Sequence, residues 1–285
     1  MEDRTELLRL NFKNIKKYFL FQRDWEVRSH SKGSVTFGIK TDTSIDSYPG
    51  DAVIEVTYTI NDKNQLVVEH FARCTEPGVL ALTNHAYWNL DGSVSIQRSL
   101  HLKTNFQNSI HAHRLHIAAS TYLPVDETNL ATGEIASVEN TKFDFREPKE
   151  LGAVKDDDGM IDLDNDWILD KKGPEQLHQL SLWSNQSGIR MDIQTSYPAI
   201  HLYAAKRLNI KGKENAVYGA NKALAIEPQL YSSAVNYVGF RIFQIDPMIF
   251  QCNYSHALVK IEKYNIISAR QVPKCRNHPG KALFV

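Results

Sequence analysis

Between residues 35 and 70 the apolar side chains recur at every second position. Val35, Phe37 and Ile39 alternate with Thr36 and Gly38. A turn-rich patch follows, ending in Tyr48-Pro49-Gly50. Ile54, Val56, Tyr58 and Ile60 then alternate with Glu55, Thr57 and Thr59. Asn61-Asp62-Lys63-Asn64 is turn chemistry, because short polar side chains bond their own backbone and tolerate a left-handed residue. Leu66, Val68 and His70 resume the alternation. A period of two is the signature of a strand with one buried and one wet face, so the stretch predicts a β-hairpin. The pattern returns where Leu180 and Leu182 lead through Asn185-Gln186-Ser187-Gly188 into Ile189, Met191 and Ile193. Many short strands separated by turn signals predict an all-β sandwich or barrel.

Composition narrows what such a fold would meet. The 285 residues can bury a large core, and no repeat, low-complexity run or proline-rich linker divides them. One domain is expected over residues 22–264. Residues 1–21 mix apolar and basic side chains and read as an N-terminal extension able to cap a sheet edge. Residues 265–285 lack periodicity and read as a tail that need not be ordered. Lys+Arg and Asp+Glu both number 33, which gives no reason to expect nucleic acid or a membrane as partner. Cys74, Cys252 and Cys275 have neither metal-ligand spacing nor the pairing of a disulfide framework. No apolar run reaches the ~18 residues of a membrane span, and the first residues lack an apolar signal core. A cytoplasmic protein is expected. Asp156-Asp157-Asp158-Gly159 puts its glycine in the wrong place for a calcium loop, so no metal is expected.

Two polar features interrupt the apolar pattern. Val79-Leu80-Ala81-Leu82 reads as a buried strand that reaches a rim at Thr83-Asn84-His85-Ala86-Tyr87-Trp88-Asn89-Leu90. Amides and imidazole bind hydroxyls and an aromatic plane takes a C–H face, so this combination suits a saccharide. The alternative is a core strand whose polar residues serve local backbone groups. Glu227 follows the apolar run Leu224-Ala225-Ile226 and precedes Pro228. A carboxylate at the end of a buried strand is poorly solvated, which favours a raised pKa and a role as general base. The alternative there is a glutamate paired with a lysine.

The stretch at Thr83 resembles the T-N-H-x-Y-F-N-L signature of the aldose 1-epimerases, or galactose mutarotases. Three further matches keep the family's order: Tyr122-Leu123-Pro124-Val125-Asp126 with Thr132-Gly133-Glu134, Phe143-Asp144-Phe145-Arg146, and Ile226-Glu227-Pro228-Gln229 with Ala234-Val235-Asn236. The resemblance implies a large antiparallel β-sandwich. It implies interconversion of the α and β anomers of a free hexose such as galactose or glucose, with no cofactor or metal. Its expected partner is a small-molecule sugar, and its expected unit a monomer or weak dimer. By the same resemblance Glu227 is the catalytic base, and His85, Asn84, Tyr87 and Gln229 contact the sugar.

Three departures accompany these matches. The family's general-acid histidine lies in a D-H-N-F pattern, and Asp164-Asn165-Asp166-Trp167 puts Asn165 at its position. An amide donates a hydrogen bond but delivers no proton near neutral pH. Asp166 and His85 are the substitutes within reach, although adjacent strand residues face opposite ways. The family's sugar-gripping Asp corresponds to Asn209 in Ala205-Lys206-Arg207-Leu208-Asn209-Ile210. No counterpart of the family's A-N-R motif precedes Trp25, so the chain looks short at its N-terminus. These departures keep a second reading in view, a catalytically impaired sugar-binding or scaffold relative. A glycosidase pairing Glu227 with Asp164 or Asp166 is a third.

Overall fold

The computed structural model describes residues 20, 23–46, 50–76, 78–92, 109–170, 179–212, 217–237, 240, 244–245 and 252–263. Most of the expected N-terminal extension and all of the expected tail lie outside these residues. Strands dominate the remainder, and every pairing between them is antiparallel. No described helix is long and apolar enough to cross a membrane.

The alternating segment forms β1 (Glu26–His30), β2 (Ser34–Lys40), β3 (Ala52–Ile60) and β4 (Gln65–Cys74). β3 and β4 are the expected hairpin, in register from Ala52↔Cys74 to Ile60↔Leu66 around the 61–64 turn. Asn64 takes a φ of 56° there, in the left-handed region that asparagine tolerates. One face of these strands carries a cross-strand ladder of Ile39, Ile54 and Ala72, which nucleates a small buried cluster. The other face is wetter. Ser34 and Thr59 hydroxyls meet at 3.0 Å, and Thr36 and Thr57 at 2.9 Å. The alternation outruns the core it implies, because Ile60, at the hairpin tip, is 68% exposed.

The middle of the chain supplies β5 (Gly78–Val79), β6 (Tyr87–Trp88), β7 (Arg114–Ile117), β8 (Thr121–Leu123), β9 (Ala136–Ser137) and β10 (Lys149–Glu150). It continues with β11 (Asp164–Ile168), β12 (Leu180–Ser184), β13 (Ile189–Thr195), β14 (Ala199–Tyr203), β15 (Asn209–Lys211) and β16 (Val217–Gly219). The last strands are β17 (Leu224–Gln229), β18 (Gln244–Ile245) and β19 (Cys252–Lys263). A nine-stranded sheet runs in the order β1-β2-β3-β4-β19-β13-β12-β7-β10, and a six-stranded sheet in the order β6-β17-β14-β11-β8-β9. β12 and β13 form the second expected hairpin, where Gly188, at φ 68°, closes the turn onto the Ser184 carbonyl.

The main core lies between the two sheets. Leu115, Ile117, Leu180, Leu182, Met191 and Ile193 come from the nine-stranded sheet, and Trp167, Ile200, Leu202, Leu224 and Ile226 from the six-stranded one. All are at most 3% exposed. Each such side chain contributes about 1.5–3 kcal/mol when removed from water, so this interface is what holds the layers together. The result is an antiparallel β-sandwich, as the resemblance implied.

The stretch Val79–Leu82 departs from expectation. Only Gly78–Val79 is strand, paired with β18, and residues 80–86 are irregular. Leu80 and Leu82 pack half-buried on the small cluster. Their apolar character serves that packing, and the six-stranded sheet is joined only at Tyr87.

Candidate active site

Period two within the six-stranded sheet sends one set of side chains inward and the next outward. On β11, Asn165 and Trp167 share the core face, whereas Asp164 and Asp166 face away from it. Register places Asp164 opposite Tyr203 and Asp166 opposite His201. It then places His201 opposite Glu227, and Tyr203 opposite Ala225. β6 adds Tyr87 opposite Ala225. The outer face of three neighbouring strands thus gathers Asp164, Asp166, His201, Tyr203, Glu227 and Gln229. Ala225 keeps the floor low between two tyrosines.

β17 runs on to Gln229, so Glu227 lies within the strand, not at its end. Pro228 is tolerated because β6 pairs only with Leu224 and Ala225, leaving no ladder bond for the missing N–H beyond them. The Thr83 hydroxyl donates to the Pro228 carbonyl at 3.0 Å and ties the irregular 80–86 segment to this strand. Asn84 fixes the same segment. Its side chain accepts from the Ala86 N–H at 3.2 Å and donates to the Tyr58 hydroxyl at 3.0 Å. His85, between these anchors, is carried over β17.

These residues enclose a pocket of about 310 Å³ lined by His85, Asp164, His201, Tyr203, Arg207, Glu227, Gln229 and Ser232. His85 Nε2 lies 3.3 Å from Glu227 Oε1. Burial pushes the Glu227 carboxyl up to about 7, with His201 opposing and the Asp166 and Asp164 charges assisting. Burial also pulls the His85 imidazole below its ordinary value. Both shifts favour neutral forms, so this contact is weaker than a full ion pair. Tyr87 stacks on His85 with ring centroids 5.0 Å apart, and Tyr203 meets both rings edge-on. Burial, then Tyr203, Glu227 and Asp164, raises the Tyr87 phenol to about 12, so it stays a neutral donor.

A second network lies beside Glu227. His201 Nδ1 is 2.7 Å from Asp166 Oδ1 and its Nε2 is 3.3 Å from Asp164 Oδ1. Burial opposes the charged imidazole, but the bonds to Asp164 and Asp166 outweigh it and push His201 up to about 10. Asp166 is fully engaged. It accepts from the Ser232 N–H at 2.6 Å, the Ser232 hydroxyl at 3.0 Å and the Gln229 amide at 3.3 Å. The turn that brings Ser232 there is set by Ser233 in the left-handed region at φ 59°.

Of the residues the sequence singled out, Glu227, His85 and Gln229 line the pocket, and Tyr87 stacks on its wall. Asn84 braces the segment that carries His85. Asn165 lies on the core face, 6% exposed, and donates to the Leu123 carbonyl at 3.2 Å. Asn209, exposed on β15, is not among the lining residues. Sequence reasoning missed His201, Tyr203, Ser232 and Arg207. His201 and Tyr203 did leave a signal, as the polar alternates within Ala199-Ile200-His201-Leu202-Tyr203. Among the described residues no group of three or more His, Cys, Asp or Glu is arranged to hold a metal.

The pocket therefore offers a carboxyl poised near neutrality, a charged imidazole, an amide, hydroxyls and an aromatic wall. The profile of the family described as aldose 1-epimerase matches residues 17–246. Galactose mutarotase of Homo sapiens is 34% identical over 215 residues, covering 74% of this chain and 58% of that protein. Aldose 1-epimerase of Escherichia coli is 27% identical over 221 residues, covering 76% and 60%. The crystal structure of an aldose epimerase homologue from C. elegans superposes with a TM-score of 0.76 at 42% identity, covering 86% of this chain and 70% of that one. The chain thus spans about 58% of the length of its human relative. By profile, identity and architecture, it belongs to the aldose 1-epimerase family.

Proposed function

We propose that this protein is an aldose 1-epimerase acting on a free hexose such as galactose or glucose. One observation carries the reading: a buried carboxyl, Glu227, pushed up to about 7 inside a polar pocket with aromatic walls. Interconverting anomers requires removing the C1 hydroxyl proton while the ring oxygen gains one. A base poised near the working pH does this well, and such a group contributes about 10²–10⁴-fold. Glu227 is that base. His85 and Gln229 bond sugar hydroxyls, and Tyr87 backs the imidazole. Asn84 acts by positioning His85. A cytoplasmic setting fits the free thiol of Cys74.

Proton NMR of freshly dissolved α-galactose tests the reading. The α anomeric signal should decay faster with the protein than in buffer. Glu227→Gln should return the decay to within a few per cent of the buffer rate while the protein's methyl signals stay dispersed. Unchanged turnover in that variant would remove Glu227 from the mechanism.

A further inference from the structure

Anomer exchange needs an acid at the ring oxygen, and the strand expected to supply it does not. Asn165 faces the core and spends its amide on the Leu123 carbonyl. The neighbouring strand carries an alternative. His201 lines the pocket and is the cross-strand partner of Glu227. Directly opposed side chains in an antiparallel pair have Cβ atoms about 4.5–5.5 Å apart. O1 and the ring oxygen are bonded to the same carbon, so base and acid must be close neighbours, and these two are.

The two nitrogens of His201 are not equivalent. Nδ1 is held at 2.7 Å by Asp166, whose side chain is 1% exposed and is fixed by Ser232 and Gln229. A carboxylate held by that many donors fixes the ring's orientation. Nε2 is held only at 3.3 Å by Asp164, whose side chain is 34% exposed. Nε2–H is therefore the bond a ligand can compete for. Glu227 on β17, His85 over it and Tyr203 on the same strand are the further titratable groups near the ring among the described residues that line the pocket, with Arg207 on the pocket wall.

We propose that His201 is the catalytic acid of this site and that Asp166 is its positioning residue. The assignment rests on the aldose 1-epimerase reading above. Glu227 takes the O1 proton, and the O1–H electron pair forms the C1=O1 carbonyl. The bond between C1 and the ring oxygen breaks, and its electron pair takes the Nε2 proton. The aldehyde end rotates. Reclosure runs the same transfers backwards, with the ring-oxygen hydroxyl returning its proton to Nε2 and Glu227 returning its proton to O1. His201 is charged through the neutral range, so the donor is present when the base is ready.

The test is a pH profile of kcat/KM by NMR anomer exchange, from pH 5 upward, for the wild-type protein and His201→Gln. The wild type should rise near pH 7 and fall on an alkaline limb toward pH 10. His201→Gln keeps a hydrogen-bonding side chain but no deliverable proton. It should lose about 10²-fold or more in kcat, change KM by only a few-fold, and lack the alkaline limb. A variant with wild-type kcat, or with the alkaline limb intact, would overturn the proposal. So would a fall confined to KM, which marks a role in binding alone. Two further measurements serve if that variant does not fold. Asp166→Asn should move the alkaline limb to lower pH with the Glu227 limb in place. In the wild type, one imidazole ¹⁵N signal should titrate at the midpoint of the alkaline limb, and a profile with no such limb would refute the assignment. A wild-type protein that accelerates neither galactose nor glucose exchange would instead bring down the epimerase reading, and this assignment with it.

Discussion

One step along a strand reverses the face a side chain serves, and β11 shows what that decides. Asp164 lines the pocket and Asp166 lies buried behind His201 on the same face, while Asn165 between them is buried against the core. The substitution Asn165→His, attractive from the sequence as a restoration of the missing acid, should therefore restore nothing. It should leave anomer exchange at or below the wild-type rate. It should also cost about 1–3 kcal/mol of stability, because a larger ring with a donor lacking its own partner enters the core beside Trp167. Urea unfolding and the NMR exchange assay measure the two effects. A gain in activity would contradict the side-chain direction reported for this strand.

At the scale of elements, the site is the outer face of a sheet whose inner face builds the core. Loops then complete it: residues 80–86 bring His85, and the turn at 231–233 brings Ser232. The neighbouring 131–133 loop is packed closely against this region. The Tyr237 hydroxyl donates to the Ala131 carbonyl at 2.7 Å. Gly133 has φ 87°, and a Cβ there would lie 2.4 Å from the Tyr237 ring. Gly159, at φ 77°, has nothing within 4 Å of such a Cβ. Gly159→Ala should thus cost only the backbone penalty of about 1–2 kcal/mol. Gly133→Ala should cost more, because Tyr237 must also move. The order of the two urea midpoints checks this, and equal midpoints would mean that Tyr237 yields freely.

For the whole molecule, three groups, two of them buried and His201 partly so, give stability a pH dependence whose sign can be worked out. His201 moves from 6.5 to about 10 on folding. Between those values the folded chain holds a proton that the unfolded chain has released, so stability is fully present below 6.5 and falls as pH rises through 10. Glu227, raised from 4.5 to about 7, acts in the same direction over its own lower window. His70, buried with its Nδ1 3.2 Å from the Tyr197 hydroxyl, moves the other way, from 6.5 to about 4. Its contribution is present above 6.5 and is lost as pH falls towards 4. The Glu227 and His70 slopes oppose each other in acid, while His201 acts from neutrality upward. The unfolding temperature should therefore descend from pH 7 to pH 10, and His201→Gln should flatten that descent. An equally steep descent in the variant would show that His201 does not cause it.

Local physics determined much of this protein before any tertiary contact was considered. Alternation and turn residues specified the two hairpins and the all-β class, since a period of two suits only a pleated strand. Glu227 and His85 were marked by the resemblance of the ordered motifs to a known family, not by local physics. Periodicity alone did not separate a strand from an apolar coil, so Val79–Leu82 was misread: its leucines serve a small side core that no local pattern reveals. Nor did motif position tell which neighbour on β11 would face the pocket, because that depends on strand register against β14. His201 was invisible as chemistry for the same reason. An imidazole on an alternating strand acquires its charge only when two carboxylates from the adjacent strand close around it, and pairing across β11, β14 and β17 is a property of the folded sheet.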